Sequence, residues 1–510
     1  MLTRRRVLGT AGCSIAAIGA DFTFPAIGAA GQEISPRDSG AVGDGVTDDT
    51  HALKLALAQT ASTGGVLLLD RWYRFSGPLS FPDGIVVRGI GLDKSGLVHD
   101  GSGDAVICSG ACDLDNFTID GGRKSGASRL KSVRAAILAI HGPLTNHRGE
   151  YLSGVRIGTI RLRNSNYVSA LALVNLADAD IGDVRIEDSW GHGVIVAGLK
   201  NCRFGRLTIE NVGNLDREGS RIGSALAIFP ERNPLKEPGT WYVSGSELPT
   251  VGLVFDNLHV KGATDTAVYL HDYAETYGVS DIRFGTVSIR NAGKDGFKVR
   301  DFVKNVQVDS LVAESIGLRA LVIENGVSSV NVSKLSVTRV GYDTISEIVG
   351  QKLLGSLGRS AQTISTVPAG IGIFNAKDVR IADAEISDIR ANVDTRKYGY
   401  GIWIRDVDHL TLNAKVHGTD GAAARIAHLT NFKIKVESED VSRVAHDPEI
   451  VFSDDGTRGS ANGEIRLSGI VGSSQNDIRV SGDSSNIRIF GSQAPRIDPH
   501  ALSQGVRAIQ

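Results

Sequence analysis

The sequence predicts an all-β solenoid, and two observations carry that expectation. A short apolar strand recurs from residue 155 to residue 435, as VRIGTIRL, ADIGDVRI, CRFGRLTI, LVFDNLHV, IRFGTVSI, VQVDSLVA, VNVSKLSV, VRIADAEI and LTLNAKVH. With Ile157, Ile181, Phe204, Phe255, Phe284, Val308, Val332, Ile381 and Leu412 taken as equivalent, the steps are 24, 23, 51, 29, 24, 24, 49 and 31 residues. A period in the low twenties built of strands without helices marks stacked coils. Each such strand is followed by a second one with alternating character, as in HGVIVAGLKN, TAVYLHDYAE, DGFKVRDFVK, RALVIENGVS and YGIWIRDVDH. Aromatics make up only 6% of the chain against 61 glycines, which suits a narrow interior filled by Val, Ile, Leu and Ala. In a solenoid, residues at one phase of successive repeats stack in rows.

The amino terminus resembles an export signal. Thr3-Arg4-Arg5-Arg6-Val7-Leu8 is similar to the twin-arginine pattern, an apolar run follows from Val7 to Ala20, and Gly28, Ala29 and Ala30 offer a cleavage site. Residues 1–30 are therefore expected to leave on export of a folded chain to the periplasm or beyond. Residues 31–100 read as an N-terminal cap with the first strands, 101–495 as the body of coils and 496–510 as a tail. The formal charge of −2 gives no electrostatic reason to expect nucleic acid as a partner. No apolar stretch is long enough to span a membrane. Of the cysteines, Cys108, Cys112 and Cys202 remain after the signal; none forms a CxxC pair, and zinc spacing is absent.

Gly40-Ala41-Val42-Gly43-Asp44-Gly45-Val46-Thr47-Asp48-Asp49-Thr50 precedes HALKLALAQTA, a helix with Leu53 and Leu57 on one face and Thr47 or Asp48 as its cap. A strand VLLLD follows at 66–70. This motif and the repeat resemble pectate-lyase-superfamily and family 28 glycoside-hydrolase-like proteins. The resemblance implies a single-stranded, right-handed parallel β-helix, here of about ten to twelve coils and on the order of 50–60 Å long. The helix would blunt the open strand edge at one end. The irregular steps are insertions, near 213–223, 341–369 and 389–399, with another at 231–250, and they would wall one face. SEIVGQKLLGSLG reads as a small helix within one of them.

Alternation places Val268, Leu270, Phe297, Val299, Leu321, Ile323, Ile402 and Ile404 inside, and Tyr269, His271, Lys298, Arg300, Val322, Glu324, Trp403 and Arg405 outside. His271, Arg300 and Glu324 are then consecutive rungs of one outward column. The next column reads Glu231, Asp272, Asp301 and Asn325. Just before the strands lie His192, Asp295 and Tyr400, with Asp265 one place earlier. Carboxylates stacked at strand spacing need cations, shared protons or a metal, so Glu231, Asp272 and Asp301 are the candidate ligands of a calcium ion. Tyr269 and Trp403 are candidate stacking platforms for sugar rings, with His192, Asp265 and Arg405 as further substrate contacts.

The resemblance implies work on a polysaccharide or oligosaccharide. Polygalacturonases carry Asn-Thr-Asp, Asp-Asp, Gly-His-Gly and Arg-Ile-Lys on successive coils. Here Gly191-His192-Gly193 matches the third motif, but no Asp-Asp precedes it, and Thr264-Asp265-Thr266 and Lys294-Asp295-Gly296 come later. The order differs, so polygalacturonase activity is not implied. For β-elimination on a uronate, Lys298 or His271 would take the proton and Arg300 would hold the carboxylate. Tyr269 would donate a proton, while Asp272, Asp295 and Glu324 orient these groups. A hydrolase would instead draw a pair from Asp265, Asp272, Asp295 and Asp301 at the separations glycosidases use. A non-catalytic glycan-binding or envelope protein is the third reading; trimers occur among solenoids, and nothing in the sequence demands a homotrimer.

Overall fold

The protein is a parallel β-helix in the computed structural model, which describes residues 31–100, 105–122, 136–142, 150–215, 221–230, 248–272, 278–342, 367–390, 399–441, 450–452, 460–468, 478–480, 484–490 and 505–509. The proposed export signal, most of the four insertions, the SEIVGQKLLGSLG segment and Glu231 lie outside the described residues.

The nine equivalent residues of the repeat stand in one row. Ile157, Ile181, Phe204, Phe255, Phe284, Val308, Val332, Ile381 and Leu412 pair directly, each with the next. The row continues backwards through Leu114, Val87, Leu67 and Ile34, and forwards through Ile434, Ile465, Ile489 and Ala508. That is more coils than the ten to twelve expected, because the short strands of 33–120 are coils in their own right. At strand spacing the row is on the order of 75 Å long. Residue 100 is no break: Leu79 on one side pairs with Val106 on the other.

The interior is a stack of identical phases. Phe204, Phe255 and Phe284 stack with ring centroids 4.3 and 4.8 Å apart, and Phe297 meets Phe284 edge-on at 5.1 Å. All eight residues expected inside the second strands are buried.

The corners explain a second pattern. After the second strand, Asp301, Asn325, Asn375, Asp406 and His428 all take positive φ, from 50° to 63°. At Asn375, Asp406 and His428 one left-handed residue turns the chain, while at Asp301 and Asn325 the next residue, Phe302 or Gly326, is left-handed too; Asn and Asp tolerate this conformation best among residues with a side chain. Their side chains bond along the column, as Asn325 Nδ2 to Asp301 Oδ1 at 2.9 Å shows.

The helix Thr50–Thr63 (α1) buries Ala52, Leu53, Ala56, Leu57 and Thr60. The motif before it is structural. Asp44 accepts from Val46 and Thr47, and Asp49 turns back to accept from Val42 N and Gly43 N at 2.7 and 3.1 Å. Asp49 therefore occupies the cap position without capping. Asp48 bonds Thr50 N at 2.9 Å instead, and Thr47 is occupied with Asp44.

Candidate functional site

The second strands set the site. Val268–His271, Asp295–Arg300, Arg319–Val340, Ala369–Ile389 and Tyr400–Thr419 lie side by side. His271 pairs with Arg300, Arg300 with Glu324, Glu324 with Phe374 and Phe374 with Arg405. The expected outward column is thus present and longer than foreseen. Two residues before the first core position, a parallel row carries Asp295, Arg319, Ala369 and Tyr400.

Lys298, expected on the surface, is 7% exposed, and its row neighbour Val322 is fully buried. The cause is an ionic cluster that covers this part of the outer face. Lys298 Nζ lies 2.8 Å from Glu324 Oε1 and 3.3 Å from Asp295 Oδ2. Arg319, which alternation alone did not single out, donates from Nε to Asp295 Oδ1 at 3.2 Å and stands 3.7 Å from Glu324 Oε2. Asp295 is completely buried. Two carboxylates thus share two cations, the arrangement in which buried charges persist. Lys298 commits its protons to Asp295 and Glu324 and so serves as a fixed positive charge; the proton-abstracting role expected for it does not fit this position.

Beside the cluster lies a second group. His271 Nε2 is 2.6 Å from Asp301 Oδ2, and Arg300 Nε is 2.6 Å from that same oxygen and 3.8 Å from Glu324 Oε1. Tyr269, two residues before His271 and on the same face, stacks against its ring at 5.3 Å. Burial pushes the His271 pKa down, and Arg300 and Lys298 push the same way against the opposing pull of Asp301. The imidazole is therefore neutral near pH 7, and the contact with Asp301 assigns the proton to Nε2 and the lone pair to Nδ1.

Other expected residues have different places. Asp272 is buried and its Oδ2 accepts from Gly278 N and Val279 N at 3.0 and 3.2 Å. Its expected catalytic role gives way to this backbone one. Asp265 pairs with Lys294 at 3.6 Å. His192 shares its row with Asp295, three coil steps or about 14 Å away. Its Nδ1 accepts from Ser224 N at 3.0 Å, and burial lowers its pKa to about 4, so it holds the coil together. Trp403 meets Phe374 edge-on at 4.9 Å, and Arg405 pairs with Asp406 at 3.1 Å.

The calcium site expected at Glu231, Asp272 and Asp301 does not fit. Asp272 faces backbone N–H groups, Asp301 faces His271 and Arg300, and Glu231 lies outside the described residues. Among the described residues no three His, Cys, Asp or Glu side chains are grouped to hold a metal. Nor, among them, is any helix long and apolar enough to cross a membrane. Cys108, Cys112 and Cys202 are buried free thiols.

No protein-family model and no curated protein matches the chain. Solved structures with a similar course of chain include the catalytic unit of a thermostable GH87 α-1,3-glucanase from Streptomyces thermodiastaticus (15% identity, 86% of this chain and 69% of that one, TM-score 0.38). A mannuronan C-5 epimerase A-module from Azotobacter vinelandii is 13% identical over 88% of this chain and all of that one, with a TM-score of 0.37. Gene product 12 of bacteriophage phi29 is 12% identical over 89% of this chain and 55% of that one, with a TM-score of 0.41.

Proposed function

We propose that the protein is an exported polysaccharide lyase that cleaves a uronate-containing glycan by β-elimination. The observation that carries this reading is the contact of His271 Nε2 with Asp301, beside Arg300 and under Tyr269. Elimination needs a neutral base for the proton α to the carboxylate, a cation for that carboxylate as charge builds on it, and an acid for the leaving oxygen. His271 Nδ1 takes the C5 proton, Asp301 stabilises the imidazolium that results, and Arg300 binds the substrate carboxylate. The C5–H and C4–O bonds break, a C4=C5 double bond forms, and the departing oxygen takes a proton from Tyr269. Asp295, Lys298, Arg319 and Glu324 hold the floor on which Arg300 rests. The twin-arginine pattern at Arg4 to Arg6 supports export.

A hydrolase is the second reading. It is favoured by Asp301 and Glu324 flanking one guanidinium nitrogen, which makes them the pair to consider now that Asp272 and Asp295 are occupied. Incubation with a panel of acidic and neutral polysaccharides, following ultraviolet absorbance and reducing ends together, tests both. Unsaturated product supports elimination. New reducing ends without absorbance support hydrolysis, and binding without product defeats both.

A further inference from the structure

Arg425 is placed differently from Lys298, Arg300, Arg319 and Arg405. It pairs in register with Trp403, and its neighbours Ala424 and Ile426 are buried in the core, so its side chain points outward with the indole. It is partly buried. Its guanidinium donates to Tyr400 Oη at 3.4 Å and lies 5.8 Å over the Tyr400 ring. Lys298, Arg300, Arg319 and Arg405 each have a carboxylate within 4 Å. Among the described residues no such carboxylate accompanies Arg425. A partly desolvated guanidinium beside a half-buried indole, with no acid of its own among the described residues, suits a planar carboxylate carried on a sugar.

We propose that Arg425 and Trp403 form a second sugar-binding position for a uronate, so that the substrate carries at least two uronates within the length of glycan that spans both positions. Trp403 offers its ring to the sugar and Arg425 grips the carboxylate with two parallel N–H bonds. Arg425 lies in the row of Lys298, four coils on from the coil that carries Arg300, roughly 19 Å along the stack, so short oligomers cannot reach both. This deepens the elimination reading and rests on it.

The test uses the whole protein and homologous series of oligouronates from dimers to octamers. Arg425→Gln should raise KM about tenfold or more for octamers, the worth of one charged hydrogen-bonded contact, with kcat unchanged and dimers unaffected. Arg425→Lys, which keeps the charge and loses the fork, should fall between. An equal loss at every length, or none at any length, would overturn the proposal. Should wild type cleave no oligouronate, the elimination reading fails while this site remains measurable. Octamer quenching of the tryptophan fluorescence that Trp403→Phe removes should then weaken tenfold in Arg425→Gln. Unchanged affinity there, with thermal unfolding showing both variants folded, sinks the site.

Discussion

His271 Nε2 and Asp301 Oδ2 stand 2.6 Å apart although thirty residues of chain separate their positions, because one full coil returns the backbone to the neighbouring rung. The carboxylate both fixes the tautomer and opposes the effect of burial on the imidazole.

Removing the base should abolish turnover while leaving the coil intact. His271→Ala is expected to lower kcat by roughly 10²–10⁴-fold. Asp301→Asn should lower it by about tenfold or more and also move the pH profile. The base acts when neutral, so the rate falls as pH drops through the His271 pKa, which already lies below its ordinary value. Asp301 is the group that raises it, so its loss should move the acid limb to still lower pH. An acid limb that moves up in Asp301→Asn would contradict the assignment.

Asp295 should matter for stability more than any exposed carboxylate. Asp295→Asn leaves Lys298 and Arg319 buried with Glu324 as their single counter-charge, and should cost about 3–5 kcal/mol in denaturant unfolding. Asp309→Asn, which breaks the surface pair with Arg283, should cost less than about 1 kcal/mol. Similar losses for the two would show that the buried cluster is not holding this face.

Gly372 separates activity from stability. A Cβ there would meet the Phe374 ring at 2.9 Å and the Arg319 stem at 3.2 Å, both ends of movable side chains. Gly372→Ala is expected to displace Arg319 from Asp295 and lower kcat/KM about tenfold, while costing no more than about 1–3 kcal/mol. Unchanged kinetics would mean that the position of Arg319 does not bear on turnover.

Acid should loosen the coil through its histidines. Burial holds His99 and His192 at about 4, against 6.5 for a free imidazole. A depressed pKa gives stability that is complete above 6.5 and lost as pH falls towards 4. The loss is on the order of 3 kcal/mol for His99 and less for the partly exposed His192. Urea midpoints measured across that window should fall steadily, and His99→Gln should flatten the slope.

Much of this was legible in the chain. Nine equivalent apolar residues, chosen on spacing alone, pair in the order written. The column His271, Arg300, Glu324 follows from alternation, and the helix with Leu53 and Leu57 buried on one face follows from their spacing. Arg319 could have been found by aligning RALVI under DGFKV, which sets it opposite Asp295. The burial of Lys298 could not, since alternation says which side a residue faces and not what covers it. The role of Asp272 could not be read for a similar reason: its partners are the backbone N–H groups of Gly278 and Val279, which no periodicity reports.

The most direct test follows ultraviolet absorbance of a polyuronate incubated with wild type and with His271→Ala. The account predicts that wild type accumulates an absorbing unsaturated end with each new reducing end, and that His271→Ala yields neither. Reducing ends formed without absorbance, or absorbance undiminished in His271→Ala, would contradict it.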